Sequence, residues 1–554
     1  MTRSRVELVI VDARPWSDGG PLADADALAV GGGRIIAVGR SAAITALAGP
    51  ETLTLDARGG TVTPAFTDAH IHLVAWARSR GALELFDCDS RAAALTRVAA
   101  YLAAHPGSTA VVGRGWDANV WSEAPDRASL DRVTVDRPVV LHSKDFHSLW
   151  VNSAALALAG VTRSTPDPPG GRFVRDAAGA PNGVVREHAV RIFAPLAPVA
   201  GPESDLERVR SAVVALHAEG VTAVHDFEGG DEHRVLRALT RGAGPRVRVL
   251  MHLPHAGLEH ALALGLASGT GDDLFRVGSL KLFADGTLGS QTAALLEPYE
   301  GSADLGLELI APAELAALVA RAAAGGLATA IHAIGDRAVR SALDAFAACG
   351  AGLHGPALAP RIEHVQLLHP SDLPRFAALG VAASMQPLHC TSDIDNARRH
   401  WGGRIDRSYP WRDLLEGGAR LAFGSDAPVE PPATAAALHS AVTRQRPDGT
   451  PVGGFTPSQR LTLDQALAAY TEGPARLAGT WPRLGRIAVG ATADLAVWSA
   501  DLHRLPQVSL ARARVMATVM EGAVVFRRGD IESGSAPAGA GAAGVAVGGG
   551  AGSP

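Results

Sequence analysis

The chain has 554 residues, with 51 basic and 56 acidic side chains and a formal net charge of −5. The chain therefore lacks the excess of positive charge that binding to nucleic acid or to an anionic membrane surface would favour. Hydrophobic residues make up 47% of the chain and charged residues 19%, whereas disordered chains show the opposite balance. The composition therefore predicts a large folded protein, long enough for one barrel with an accessory domain.

The three cysteines, Cys88, Cys349 and Cys390, are far apart in the sequence. Their odd number and wide spacing exclude a disulfide framework and a CxxC zinc ribbon. We therefore expect a reducing, cytoplasmic location. No run of about 20 uncharged apolar residues is hydrophobic enough to span a bilayer, so neither a membrane nor nucleic acid is an expected partner.

Short strands are predicted at both ends of the chain. VELVIVDA, ALAVGGGRIIAVG and ETLTLDA lie within the first 60 residues, and GRIAVGATADLAVWSA and VMATVMEGAVVFRRGD have the same character near the other end. We expect residues 1–62 and 481–530 to form one small β-sandwich domain, with two separate β-appendages as the alternative. The Gly/Ala-rich residues 531–554 cannot build a core and are predicted to be disordered.

Residues 63–480 repeat one phrase, in which an amphipathic helix ends at glycine and a short apolar strand follows. Such strands are typical of a parallel sheet buried on both faces. Eight of them end in polar residues, near His70–His72, His225–Asp226, His252, Lys281–Asp285, His332, Glu363–His364, Gln386 and Ser425–Asp426. This pattern predicts an α/β fold, a TIM-type (β/α)8 barrel with its site at the carboxyl ends of the strands. An open, doubly wound sheet is the alternative.

The connection between the first two strands, at about 78–205, is much longer than the others. It is rich in Pro, Gly, Trp and His. We expect it to form a cap over the mouth of the barrel.

The first strand ends in His70-Ile-His72. Residues i and i+2 of a strand point the same way, about 6.6 Å apart, so both imidazoles can face one metal ion. With 20 histidines in the chain, chance also produces such pairs, and two polar residues at a strand end is the simpler interpretation. His332, His364 and Asp426 at other strand ends favour a metal site, and zinc takes such nitrogen and oxygen ligands.

Lys281, in the fourth strand, is one of two lysines among the 51 basic residues, the other being Lys144. A buried lysine loses its proton more easily, and the neutral amine can add carbon dioxide to become a carbamate. This anion can bridge two metal ions, which arginine cannot do. It also offsets the charge of two dications better than an ammonium would.

The ordered set of ligands resembles that of the amidohydrolase superfamily. PAFTDAHIH, GRGWD, HSLWVNSAAL, KLFADGTLGSQTA, IHAIGDRAV, RIEHVQ and GSDAPV resemble phrases of its family 3, which includes N-substituted formamide deformylases. The resemblance runs from residue 1 to about residue 530. It implies a metal-dependent hydrolase that cleaves a non-peptide carbon–nitrogen bond in a small N-acyl or N-formyl amide.

The resemblance also implies roles for the ligands. His70, His72 and Asp426 would hold the more buried of two divalent ions, expected to be Zn²⁺. His332 and His364 would hold the outer ion, and Lys281, carbamylated by carbon dioxide, would bridge both. A metal-bridging hydroxide would attack the carbonyl, with Asp426 as general base and then general acid. A homodimer is expected by analogy alone.

Substrate contacts are expected from Trp116, Asp145, His147, Glu187 and Asp285, although packing explains the insertion residues equally well. Two positions depart from the family pattern. Gln291 stands where many relatives have arginine, and Asp145-Phe146-His147 stands where many have Asp-Gly-His. Both lie near the expected pocket, so the sequence leaves the substrate open.

Three other functions remain open. A deaminase with one metal is the first. Relatives of that kind usually lack the lysine and pair the fifth-strand histidine with a nearby glutamate in a His-x-x-Glu motif, whereas here Ala-Ile-Gly-Asp follows His332. An ester, lactone or phosphotriester hydrolase on the same metals is the second. A non-catalytic scaffold is the third, and it would be expected to lack ligands that this chain retains.

Overall fold

The computed structural model describes residues 5–107, 109–119, 121–196, 202–529 and 533–535. The predicted disordered tail, 531–554, lies outside the described residues except for 533–535, which form a strand.

The amino-terminal segment contains seven strands and one short helix. The strands are β1 (Leu8–Val11), β2 (Arg14–Ser17), β3 (Gly20–Pro21), β4 (Ala27–Gly31), β5 (Arg34–Gly39), β6 (Leu53–Asp56) and β7 (Thr61–Pro64), and the helix is α1 (Ser41–Thr45).

The next segment begins with the first barrel strand and continues through the long insertion. Its elements are β8 (Phe66–Ile71), α2 (Leu73–Ser79), β9 (Leu83–Glu84), α3 (Arg91–Ala104), β10 (Val111–Trp116), α4 (Arg127–Asp131), β11 (Val139–Ser143), β12 (Ser148–Val151), α5 (Ser153–Leu158), β13 (Gly171–Arg175) and β14 (Pro181–Glu187).

Strands and helices then alternate as predicted. The elements are α6 (Pro202–Ala218), β15 (Val221–Asp226), α7 (Asp231–Arg241), β16 (Arg248–Pro254), α8 (Leu258–Ala263), β17 (Phe275–Phe283), α9 (Pro312–Ala324), β18 (Thr329–Ala333), α10 (Asp336–Cys349), β19 (Arg361–His364), α11 (Leu373–Leu379), β20 (Ala382–Met385), α12 (Pro387–Ser392), α13 (Ile394–Trp401), α14 (Trp411–Glu416), β21 (Arg420–Phe423), α15 (Thr434–Thr443), α16 (Leu463–Tyr470) and α17 (Glu472–Leu477).

Four strands end the described chain: β22 (Leu495–Trp498), β23 (Val515–Met520), β24 (Ala523–Arg527) and β25 (Ser533–Ser535). Short 3-10 helices occupy His188–Leu196, His255–Gly257, Gly350–His354, Pro370–Asp372, Gly402–Arg407, Pro457–Gln459 and Gln507–Arg512.

The predicted barrel is confirmed. Eight parallel strands pair in the order β21-β20-β19-β18-β17-β16-β15-β8. The first and last strands meet through a parallel bridge between Ile71 and Ala427, and the amide of Asp426 donates to the carbonyl of His70 at 2.6 Å. The strands are apolar because both of their faces are buried; every residue of β18 and of β20 is buried.

Strands from the two ends of the chain share two sheets, ordered β25-β6-β1-β4-β5 and β24-β23-β22-β7-β2-β3. One cluster of buried side chains joins these sheets, and it includes Ile10 and Leu28 from the first and Val497 and Val519 from the second.

The insertion forms a sheet of its own, ordered β13-β14-β12-β11-β10-β9. Side chains of this sheet and of the barrel's strand ends line one cavity of about 550 Å³. Among the described residues, no helix combines the length and the apolar character that a membrane crossing requires.

Candidate metal centre

The predicted ligands converge at the carboxyl ends of the barrel strands. His70 lies in β8, His332 in β18 and His364 in β19. His72 directly follows β8, and Asp426 is the third residue after β21. Parallel strands of a barrel end at one rim, so five residues far apart in sequence line the same cavity.

Asp426 is the point at which the ligands meet. Its Oδ1 lies 3.5 Å from Nε2 of His70 and 3.4 Å from Nε2 of His72. One ligand atom from each of His70, His364 and Asp426 lies within 4.8 Å of the others. This is the spacing of a site that can hold a divalent cation.

The imidazoles of His70, His332 and His364 are neutral, as metal binding requires. Burial lowers the pKa of His70, His332 and His364 well below the ordinary value. Nδ1 of His70 lies 2.7 Å from Oε2 of Glu363, and Nδ1 of His364 lies 2.8 Å from Oε1 of Gln386. Because each Nδ1–H donates to an oxygen, each Nε2 keeps its lone pair for a cation.

His332 is oriented the opposite way. Its Nε2 lies 3.1 Å from the carbonyl oxygen of Gly286, so Nε2 carries the hydrogen and Nδ1 keeps the lone pair. The sequence identified His332 as a candidate ligand but held no signal for which nitrogen it presents.

Lys281 is buried, and its Nζ has no hydrogen-bond partner among the residues that the structure describes. The ammonium nitrogen lies 4.5 Å from the ring centre of Phe227 and 4.7 Å from that of Phe283. Burial lowers the pKa of Lys281 to about 8. A lysine so placed loses its proton readily. Its buried nitrogen lacks a hydrogen-bond partner, which costs free energy unless a ligand or a covalent modification supplies one.

Two side chains behind the ligands hold the first strand in place. Glu363 pairs with Arg361 at 2.5 Å as well as with His70. Asp68 accepts hydrogen bonds from the amide and the hydroxyl of Ser425, at 2.9 and 2.6 Å. Glu363 thus orients the imidazole of His70, whereas Asp68 ties β8 to the segment that follows β21.

Several residues at the mouth have a backbone that L-residues rarely adopt. The φ angles are 59° at Asp426, 78° at His364 and 53° at Glu187. Left-handed φ at non-glycine residues costs free energy and concentrates at functional sites. Of these three residues, Asp426 and His364 line the cavity, whereas Glu187 lies behind it against His147.

The insertion contributes a second polar cluster beside His332. His147 Nδ1 lies 2.7 Å from Oε2 of Glu187, and the ring centres of His147 and His332 are 5.7 Å apart. Burial opposes the charge, but Glu187 outweighs it and raises the pKa of His147 to about 9. His147 is therefore a cation near neutral pH, with its other N–H available to the cavity.

The other proposed substrate contacts differ in position. Trp116 and Asp145 line the cavity, and Asp145 accepts hydrogen bonds from Thr287 and Ser290 at 2.6 and 2.9 Å. Asp285 is fully buried and accepts backbone N–H groups of Ala294, Ile334 and Gly335. It does not line the cavity, since its oxygens hold the loops that follow β17 and β18.

Sequence reasoning missed one residue of the site. His389, in α12, lines the cavity with its Nε2 3.7 Å from Oδ2 of Asp426. This nitrogen has no hydrogen-bond partner among the described residues. His389 lies on the helix that follows the seventh strand, where strand-end counting does not reach.

Comparison with known proteins agrees with this geometry. Residues 53–526 match the profile of the amidohydrolase family. The protein YtcJ of Bacillus subtilis (strain 168) is 30% identical over 494 residues, covering 86% of this chain and 91% of YtcJ. The N-substituted formamide deformylase of Arthrobacter pascens is 29% identical over 555 residues, covering 95% of this chain and 99% of that protein.

The same relationship holds in three dimensions. The crystal structure of an uncharacterized metal-dependent hydrolase from Pyrococcus horikoshii OT3 superposes with a TM-score of 0.73 and 26% sequence identity, covering 90% of this chain and 99% of that one. With the family profile matched across most of the chain and the ligand set assembled at the barrel mouth, the protein belongs to the amidohydrolase family and is a hydrolase of carbon–nitrogen bonds.

Proposed function

We propose that the site holds two divalent cations, with zinc as the metal that its nitrogen and oxygen donors favour. His70, His72 and Asp426 would hold the inner ion, and His332 and His364 the outer one. The observation that carries the proposal is the Nζ of Lys281, which is buried beside these residues and has no hydrogen-bond partner in the described part of the chain.

Lys281 is proposed to bridge the two ions as a carbamate. Its neutral amine adds to the carbon of carbon dioxide, the nitrogen loses one proton to solvent, and the product carries one negative charge on two oxygens. A lowered pKa favours this step because only the free amine reacts.

The bound ions would supply Lewis acidity, polarising the scissile carbonyl and lowering the pKa of the attacking water. Asp426 would accept the proton of that water and then deliver it to the leaving nitrogen. Burial raises the pKa of Asp426, but His70, His72 and His389 lower it by more, so the pKa lies below its ordinary range. Asp426 is thus ionised and ready to act as the base.

The substrate is proposed to be a small N-formyl or N-acyl amide, cleaved at a carbon–nitrogen bond other than a peptide bond. The formamide deformylase of Arthrobacter pascens supports this class through its 29% identity. Trp116, Asp145 and His147 would contact the substrate from the cavity wall. Glu187 would act through its contact with His147, and Asp285 would fix the adjoining loops. The cationic His147 can donate its free N–H to a substrate oxygen.

We also propose how the chain is organised as a whole. The two terminal sheets would form a composite β-sandwich domain, residues 1–62 with 481–530, beside a barrel at 63–480 whose cap is the insertion at about 78–205. A cytoplasmic location, a small-molecule amide partner and a homodimer complete this proposal.

The test is a panel of N-formyl and N-acyl amines, with matched esters and aminated heterocycles, given to enzyme reconstituted with Zn²⁺ and bicarbonate. Release of the free amine, lost in Asp426→Asn, is the expected result. Release of ammonia alone would favour a deaminase, and turnover of esters alone would favour an ester hydrolase; either outcome would overturn the amide proposal.

A further inference from the structure

Arg186 is the second cation of the cavity that the described residues leave without a partner. It lines the cavity, and its side chain makes no described hydrogen bond or ion pair. Its Nε is buried and unpartnered. Lys281, the other such cation, is accounted for by the proposed carbamate. Arg186 has no role in that chemistry.

The strand β14 directs Arg186 into the cavity. Asn182, Val184 and Arg186 alternate along this strand, and all three line the cavity. Val185, which points the other way, packs in a buried cluster of the insertion. Successive residues of a strand face opposite sides, so the orientation of Arg186 follows from the register of the whole strand.

The acidic side chains that line the cavity face other residues. Asp117 accepts from Asn119 at 2.9 Å, and Asp426 faces His70 and His72. Asp145 accepts from Thr287 and Ser290, Asp393 accepts from Tyr409 at 2.5 Å, and Glu430 pairs with Lys144 at 3.3 Å. None of them bonds to Arg186 among the described residues. The guanidinium is therefore available to a ligand.

A second arginine increases the need for an anion. Arg172 lies directly opposite Arg186 on the neighbouring strand β13. Like charges so placed repel each other, and burial together with Arg172 lowers the pKa of Arg186. A bound anion would relieve both effects.

The surrounding charges favour a monoanion. Asp145, Glu187 and Asp304 lie near enough to stabilise the charge of Arg186 without contacting it. A phosphate dianion would meet their repulsion, whereas a carboxylate carries one charge and matches the planar fork of a guanidinium.

We propose that Arg186 is a specificity-determining residue that binds a carboxylate at the far end of the amide substrate. The inference rests on the proposed amide hydrolysis and refines its substrate class. The scissile carbonyl would lie at the ligands of the barrel mouth while the carboxylate lies against β14.

The probes are N-formyl derivatives of β-alanine, 4-aminobutyrate and 6-aminohexanoate, each paired with its neutral terminal carboxamide. For the chain length that spans the cavity, the wild type is expected to cleave the acid with a kcat/KM about 10- to 100-fold above that of the carboxamide. Arg186→Met should remove this preference while changing the carboxamide reaction and the metal content little. Arg172→Met, the matched control on the exposed side of the pair, should keep it.

Equal rates for acid and carboxamide in the wild type, or an Arg186→Met variant that slows both substrates alike, would overturn the proposal. If the metal-loaded wild type hydrolyses no probe, that result counts against the proposed amide hydrolysis and not against Arg186. The role of Arg186 is then tested by ligand binding. Calorimetry should then detect binding of hexanoate but not of hexanamide in the wild type, and no hexanoate binding in Arg186→Met. Equal hexanoate binding by both proteins would overturn the inference.

Discussion

Nδ1 of His70 lies 2.7 Å from Oε2 of Glu363, and both side chains are buried. Glu363 also pairs with Arg361, whose guanidinium donates to the carbonyl of Ala69 at 2.6 Å. The carboxylate therefore fixes the tautomer of His70, a candidate metal ligand, while Arg361 holds the strand that carries this histidine.

Glu363→Gln is expected to weaken metal affinity about 10- to 100-fold, because loss of a partner behind a ligating histidine typically costs this much. Metal retained after dialysis against a graded chelator measures the change. Glu430→Gln, a cavity carboxylate that bonds no ligand histidine, is the control. Equal retention by wild type and Glu363→Gln would contradict the orienting role.

Asp426→Asn is expected to lower kcat about 10²- to 10⁴-fold, the usual range for loss of a general base. The amide keeps an oxygen for the metal but cannot accept the proton of water. Steady-state kinetics with metal analysis separates the two effects. Asp393→Asn, which removes another cavity carboxylate, should lose far less; similar losses in both variants would argue against the assigned role.

Gly424→Ala tests the contact that closes the barrel between β8 and β21. An added Cβ would lie 2.7 Å from Oδ1 of Asp68 and closer still to the amide nitrogen of His70. We expect loss of more than about 1 kcal/mol of stability and reduced metal content, since β8 must shift. In Gly403→Ala the Cβ meets nothing within 4 Å, so that variant should resemble the wild type in both measurements.

The His147–Glu187 pair predicts a pH-dependent stability. The pKa of His147 is raised to about 9 in the folded protein, against about 6.5 when unfolded. The stabilisation by the charged pair is therefore complete below about pH 6.5 and is lost as the pH rises through about 9. At pH 6 the free energy of unfolding of the wild type should exceed that of His147→Gln by on the order of 2 kcal/mol. The difference between their melting temperatures should be largest at this pH. A difference that stayed constant to pH 10 would contradict the charged pair.

The convergence of the candidate ligands on one cavity could be predicted because strand ends carry a regular signal. His70 and His72 share one side of a strand, and parallel apolar strands bring His332, His364 and Asp426 to the same rim. Lys281 was distinguished because lysine is so rare in this chain. These inferences need only local period and strand direction.

The rest of the site depends on what the sequence does not encode locally. His389 lies on a helix outside the strand pattern. That Arg186 has no partner among the described residues is recognised only when the acids that line the cavity are seen to face other residues. Asp285 ends a strand like the ligands do, yet its carboxylate turns to three backbone amides instead of the cavity. Side-chain partners across long sequence separations decide these cases.

Metal content per chain is the most direct test of the two-ion site bridged by Lys281. Protein purified without chelator and with bicarbonate supplied is predicted to contain close to two equivalents of metal, and Lys281→Met is predicted to contain much less. One equivalent in the wild type, unchanged by Lys281→Met, would contradict the bridged centre.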